Sequence, residues 1–174
     1  MSSLDRPRKL AADDAVSAFD CGQLDLNEWL RRHAFTNQRA GMATVFATTD
    51  RETGRVVGYY SLATGGVENA AAPIRVTKGV PRHPVPVILL TRLAVDTSVQ
   101  GRKVGRALLR DALARVNAAA DEIGVRALLI HAKDEGARDF YLRCAEFDPS
   151  PTDPLHVFLL MKDLRKALEV DRGP

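Results

Sequence analysis

Residues 91–116 read TRLAVDTSVQGRKVGRALLRDALARV. An apolar run ends at Asp96, a polar turn containing Gly101 follows, and from Val104 onward apolar residues recur at helical spacing. A strand, a turn and a helix in that order expose the free backbone N–H groups of the helix's first turn, where the helix dipole favours negative charge. Gly101 and Gly105 have no side chain to obstruct close approach, and Arg102, Lys103 and Arg106 add positive charge. These are the ingredients of a pyrophosphate cradle. No Gly-Lys-Ser/Thr follows, so it is not a Walker A loop, and the Gly-x-Gly-x-x-Gly of a dinucleotide turn is absent too. Ordinary turn chemistry also places glycines near helix starts, so the stretch alone leaves both readings open.

Outward from this junction the chain alternates strands and helices. VILLTRLAV (87–95) is a nearly continuous apolar run, as expected of a strand buried on both faces. The helix after the turn aligns Val104, Leu108, Leu109, Ala112, Leu113, Val116, Ala120 and Ile123 on one side. VRALLIHA (125–132) predicts a strand, DEGARDFYLRC (134–144) a short helix, and HVFLLMKDL (156–164) a last strand. Upstream, MATVFATTD (42–50) and RVVGYYSLAT (55–64), joined by RETG, predict an antiparallel hairpin. In front of it, LDLNEWLRRHAFTNQR (24–39) carries Leu24, Leu26, Trp29, Leu30, His33 and Ala34 near helical spacing and ends before Gly41. The proline-rich stretch 69–86 predicts a long surface loop. The pattern is that of an α/β chain with a mixed sheet.

At 174 residues the chain is expected to form a single domain, 1–174. Its 45% apolar and 27% charged content is ordinary for a globular protein, and no run approaches the ~18 apolar residues of a membrane span. The charged N-terminus lacks the apolar core of a signal peptide, which predicts a cytoplasmic location without membrane partners. Cys21 and Cys144 lie far apart, giving no disulfide framework and no metal-ligand spacing, so no metal is expected.

The net charge of +3 is modest but unevenly spread. No acid lies between Glu28 and Asp50, a window holding Arg31, Arg32 and Arg39, or between Glu68 and Asp96, which holds Arg75, Lys78, Arg82 and Arg92. Two acid-free basic windows point to a polyanionic partner, whereas either alone would also suit a solvated surface.

LAVDTSVQGRKVGRALL (93–109), followed by LLIHAKDEGARDFY (128–141), resembles the GNAT superfamily of acyl-CoA-dependent N-acetyltransferases. The family signature Gln/Arg-x-x-Gly-x-Gly/Ala is met by Gln100, Gly101, Arg102, Lys103, Val104 and Gly105, with Lys103 at the middle glycine position. A lysine in helical dihedrals would add its ammonium to the phosphate site; one forced to positive φ would be strained. The resemblance implies the GNAT fold: a mixed, mostly antiparallel sheet with a central splayed parallel strand pair and helices on both faces. It also implies acetyl-CoA as cosubstrate, held by the backbone of Leu93, Ala94 and Val95 and by residues Gln100 to Arg106. FDCGQLDLNEWL (19–30), VVGYYSLATGGV (56–67) and the segment 137–164 are similar to the GNAT toxins of toxin–antitoxin modules. That implies acetylation of the α-amino group of aminoacyl-tRNA, which blocks translation, a ribbon-helix-helix antitoxin as partner, and a homodimer. One departure is FYLRCAEF (140–147), where the family has FYxxxGF.

The resemblance places Tyr141 where the family's tyrosine reaches the CoA sulfur. A phenol of pKa about 10 can donate to a thiolate whose acid has a pKa of about 8.5. An α-amine of pKa ~7.7–8.0 is neutral in roughly one molecule in five to ten at pH 7, against roughly one in 2,500 for lysine, so a dedicated base is dispensable. His131 and His83 are the histidines that could otherwise serve; Asp134 and Glu135 read as helix cap and first-turn acid. Tyr59 and Tyr60 alternate across a strand, with one of them a candidate for the acceptor site. The tRNA-facing candidates are Arg31, Arg32, Arg75, Lys78, Arg82 and Arg92. Arg92 stands inside an apolar strand, which favours phosphate or acceptor contact over a structural pair. Two alternatives stay open at this level: an acetyltransferase for a small-molecule or protein amine, and a non-catalytic nucleic-acid or antitoxin-binding module.

Overall fold

The computed structural model describes residues 3–170. Among them seven strands form one mixed sheet in the order β1-β2-β3-β4-β5-β7-β6, with β4 and β5 parallel and the β1/β2, β2/β3, β5/β7 and β6/β7 pairs antiparallel. The strands are β1 (Arg8–Lys9), β2 (Thr44–Thr49), β3 (Val56–Val67), β4 (Val85–Val95), β5 (Ala127–His131), β6 (Asp148–Pro149) and β7 (His156–Leu160). The helices are α1 (Leu24–Glu28), α2 (Ala34–Arg39), α3 (Ile74–Thr77), α4 (Val104–Glu122), α5 (Glu135–Cys144) and α6 (Met161–Val170). The β4/β5 ladder covers only Val87–Leu90 against Ala127–Ile130, and β4 continues for five residues beyond it. No helix among the described residues is long and apolar enough to cross a membrane.

Contacts divide the chain into two compact units, Met1–Ala63 with Thr91–Ala112, and Thr64–Leu90 with Leu113–Pro174. In the first, β2 and β3 form the expected hairpin, with Asp50 closing its turn by accepting the Gly54 N–H at 2.7 Å on its carbonyl. Phe19, Leu30, Val45, Val56 and Tyr59 form the core of this unit. A Cβ on Gly58 would meet Leu108 at 3.0 Å, so the bare glycine is what lets α4 lie this close to β3. The helix expected over 24–39 is interrupted by a π-helical turn at Trp29–His33. Leu24 is 69% exposed and His33 is exposed, although 3.6-residue spacing places both inward.

The second unit packs Val76, Val85, Val87, Ala127, Leu129 and Phe158 together. Two expectations are corrected here. The loop over 69–86 contains α3, begun by Pro73 and pinned by Val76, which is 0% exposed. The last strand stops at Leu160, because Met161 and Leu164 are buried at helical spacing and start α6 instead. In the apolar run of β4, Val87, Ile88, Leu90 and Ala94 are buried, whereas Leu89, Thr91, Arg92, Leu93 and Val95 are only half-buried. Ile123, beyond the end of α4, is 58% exposed.

Candidate active site

The first unit carries the strand–turn–helix junction. Asp96 ends β4 and organises the turn. Its carboxylate accepts the Ser98 N–H at 2.9 Å, the Ser98 hydroxyl at 2.7 Å and the Asp20 N–H at 2.9 Å. Burial alone would raise this carboxyl's pKa; the Asp20 and Ser98 hydrogen bonds outweigh it and hold the group below its ordinary value. Gln100 donates its side-chain amide to the carbonyls of Val95 at 2.9 Å and Cys21 at 3.1 Å. The glutamine of the motif therefore staples the turn, and the Val95 carbonyl is engaged by it.

Gly101 has φ 78° with open space where a Cβ would stand. Lys103 has φ 62° and is the one non-glycine residue with positive φ among the described residues. The two sequence alternatives for this lysine resolve: the position is left-handed, costing an L-residue roughly 1–2 kcal/mol. The first helical bond runs from the Ala107 N–H to the Lys103 carbonyl at 3.1 Å. The N–H groups of Val104, Gly105 and Arg106 thus have no acceptor within the helix. Gly101, Arg102, Lys103 and Arg106 are exposed. Alternating left- and right-handed residues at a helix start form an anion-binding concavity, which fits a pyrophosphate.

In the same unit, the Arg92 guanidinium lies 4.1 Å from the Trp29 ring centroid, and Trp29 stacks in turn on Tyr59 at 5.9 Å. Burial lowers the Arg92 pKa, with Tyr59 and Asp25 opposing it. The Arg31 guanidinium donates to the Phe19 carbonyl, and Arg32 is exposed on the π-helical turn. That turn was not legible in the sequence, which carries no marker for a single i→i+5 insertion.

In the second unit, α5 is capped by Asp134, which accepts the Ala137 N–H at 2.8 Å, as its position predicted. Tyr141 on this helix is 6% exposed, with its ring against Phe140 and Phe147. The departure at Ala145-Glu146 is absorbed by an extended Ala145 and a tight turn, after which Phe147 returns to the Tyr141 ring. Burial first, and Cys144 second, push the Tyr141 phenol well above the ordinary tyrosine value. No protein group among the described residues hydrogen-bonds its hydroxyl. The chain's other two tyrosines are tethered: Tyr59 donates to the Leu26 carbonyl at 2.8 Å, and Tyr60 donates to the Asp111 carboxylate.

His131 stacks on His156 with centroids 3.8 Å apart, and His156 lies 3.3 Å from Asp153. Burial, then His156, lowers the His131 pKa. His83 is exposed, its carbonyl accepting from Asn69. Arg75 has both terminal nitrogens engaged, by Asp148 at 2.6 Å and Asp163 at 2.9 Å, whereas Lys78 and Arg82 are exposed. The partners of Arg75 lie 73 and 88 residues away, beyond the reach of any local pattern.

A model of the acetyltransferase (GNAT) family matches residues 8–147. A tRNA-acetylating toxin of Mycobacterium tuberculosis is 50% identical over 168 residues, covering 97% of this chain and 99% of the relative. The structure of AtaT complexed with acetyl-methionyl-tRNAfMet superposes with a TM-score of 0.85 at 29% identity, covering 94% of this chain and 98% of that one. A tyrosine-to-phenylalanine mutant of AtaT, bound to acetyl-CoA and the C-terminus of the antitoxin AtaR, superposes with a TM-score of 0.81 at 27% identity, covering 96% and 99%.

Proposed function

The chain belongs to the acetyltransferase (GNAT) family, and from that premise we propose that it is a toxin that acetylates the α-amino group of aminoacyl-tRNA and so blocks translation. One observation carries this: 50% identity to a tRNA-acetylating toxin along practically the whole of both chains. The donor substrate is acetyl-CoA, in keeping with the family and with the acetyl-CoA-bound AtaT structure. Its pyrophosphate is assigned to the N–H groups from Gly101 to Arg106, and its pantetheine arm to the backbone of Leu93, Ala94 and Val95, where the Val95 carbonyl is already engaged by Gln100.

In the reaction the amine nitrogen bonds to the acetyl carbon and the carbon–sulfur bond breaks. Tyr141 is the group assigned to the sulfur. Its support is that burial keeps the phenol protonated and its hydroxyl is not committed to another protein group. It donates a hydrogen bond to the charge developing on sulfur, then a proton. The proton shed by the attacking nitrogen restores the phenol, so no charge stays on Tyr141. An α-amine deprotonates readily enough near neutrality that no base is assigned.

Arg31, Arg32, Lys78, Arg82 and Arg92 are assigned to tRNA phosphates and the acceptor end, with Arg75 contributing through the structure it holds. The assembly completes the reading: an antitoxin of the ribbon-helix-helix type, a homodimer and a cytoplasmic location. The test is incubation of purified protein with acetyl-CoA and total aminoacylated tRNA, followed by mass spectrometry of the released amino acids. N-acetylated amino acid is the expected product, and its complete absence would remove the reading.

A further inference from the structure

A cavity of about 490 Å³ opens in the second unit beside α3, the start of β5 and the start of α6. Among the described residues five cations line it, Arg75, Lys78, Arg126, Lys162 and Arg165, and no acidic side chain does. They differ in what holds them. Arg126 is fixed by backbone carbonyls alone: Val76 at 2.9 Å, Lys78 at 3.4 Å and Arg75 at 3.5 Å. Arg75 is fixed by Asp148 and Asp163, and Arg165 by Asn117 at 3.1 Å and Asp121 at 3.7 Å. The ammonium groups of Lys78 and Lys162 have no partner among the described residues.

Three of the five cations therefore have no carboxylate partner, and the guanidinium groups are held in place in advance. Gathering uncompensated like charges around one cavity raises the energy of the empty site, and an entering anion recovers that energy. The ten-residue helix α6 begins in the cavity wall at Met161 and Lys162, and its dipole adds to the same potential. The volume falls within the range of small-ligand sites and exceeds one bare phosphate, leaving room for an attached sugar. The preset guanidinium groups of Arg126 and Arg165 with two ammonium groups suit phosphate oxygens, while Arg75 stays committed to its carboxylates and shapes the wall.

We propose that this cavity is a phosphate-binding pocket, built from residues other than those of the α4 cradle, that takes a phosphomonoester or phosphodiester with its sugar. The tRNA backbone is the natural source on the functional reading above, on which this identification of the source rests. A small phosphorylated molecule is the other source of the same chemistry.

The experiment compares wild type with a Lys78→Gln/Lys162→Gln double variant, in full-length protein saturated with CoA so that the other phosphate loop is filled. The probes are deacylated total tRNA and inorganic pyrophosphate. Losing two phosphate contacts should weaken tRNA binding about tenfold or more near 150 mM salt and reduce the slope of log affinity against log salt by about two. If tRNA binding is unchanged but pyrophosphate raises the Tm of wild type and not of the variant, the pocket takes a small phosphate. If wild type and variant respond alike to both probes, the proposal is overturned. Should the double variant not fold, Lys162→Gln alone carries the same test with a slope change of about one. Failure of the functional reading shows separately, as wild type that does not acetylate aminoacyl-tRNA, and leaves the pyrophosphate comparison intact.

Discussion

The Ala107 N–H donates to the carbonyl of Lys103 at 3.1 Å, so the first hydrogen bond of α4 is accepted by a lysine held at φ 62°. A helix entrance that requires the left-handed region is occupied by a residue disfavoured there. Lys103→Gly should stabilise the fold by up to about 1 kcal/mol, the relief of strain offset by the greater freedom of glycine in the unfolded chain. It should also weaken acetyl-CoA binding about two- to fivefold, since an exposed ammonium is lost beside the phosphate loop. Thermal melts and calorimetric titration read the two effects independently. Tighter acetyl-CoA binding by the glycine variant would show that the lysine contributes only strain.

Tyr141→Phe removes from a buried ring one hydroxyl that has no protein partner among the described residues, so folding and acetyl-CoA affinity should survive. The acetylation rate should fall by about 10²–10⁴-fold. Growth arrest on expression should largely disappear. Wild-type turnover would reduce Tyr141 to a packing residue, and the tethered hydroxyls of Tyr59 and Tyr60 make neither a ready substitute.

The His131–His156 stack should make stability pH-dependent. The folded-state pKa of His131 lies below its unfolded value because burial, then His156, disfavours its charged form, with Asp153 opposing. A group lowered in this way contributes stability that is present above its unfolded pKa of about 6.5 and is lost as pH falls through and below that value. Tm should therefore drop between pH 7.5 and pH 5.5, and His131→Asn should flatten the drop. An unchanged slope in the variant would assign the pH dependence to other groups.

Arg75 joins Asp148 of β6 to Asp163 of α6, and the Asp163 side chain is only 8% exposed. Arg75→Gln leaves that carboxylate without its cation, so Tm should fall, whereas acetyl-CoA affinity should not change. Asp163→Asn in the same background should restore part of the loss, because the uncompensated charge is removed. A full-stability Arg75→Gln variant whose tRNA binding alone is weakened would return Arg75 to the phosphate-contacting set.

Local pattern carried the hairpin, the strand–turn–helix junction and the cap of α5, because turn residues, side-chain period and capping act within a few residues of the chain. The family likeness of residues 93–109 carried the acetyltransferase family and the expectation of acetyl-CoA, while the residues assigned to hold it remain a proposal. Three features depended on tertiary structure. The φ of Lys103 follows from where the turn must deliver the chain into α4, which its side chain does not announce. The π-helical turn at Trp29–His33 sets an aromatic ring between Tyr59 and Arg92, and contacts across the unit decide it. The basic stretch 69–95 looked uniform, yet Arg75 pairs with carboxylates from two distant elements while the Lys78 ammonium has no partner among the described residues. Charge along a chain is a property of sequence; whether a given charge is neutralised depends on groups that only folding brings within 4 Å.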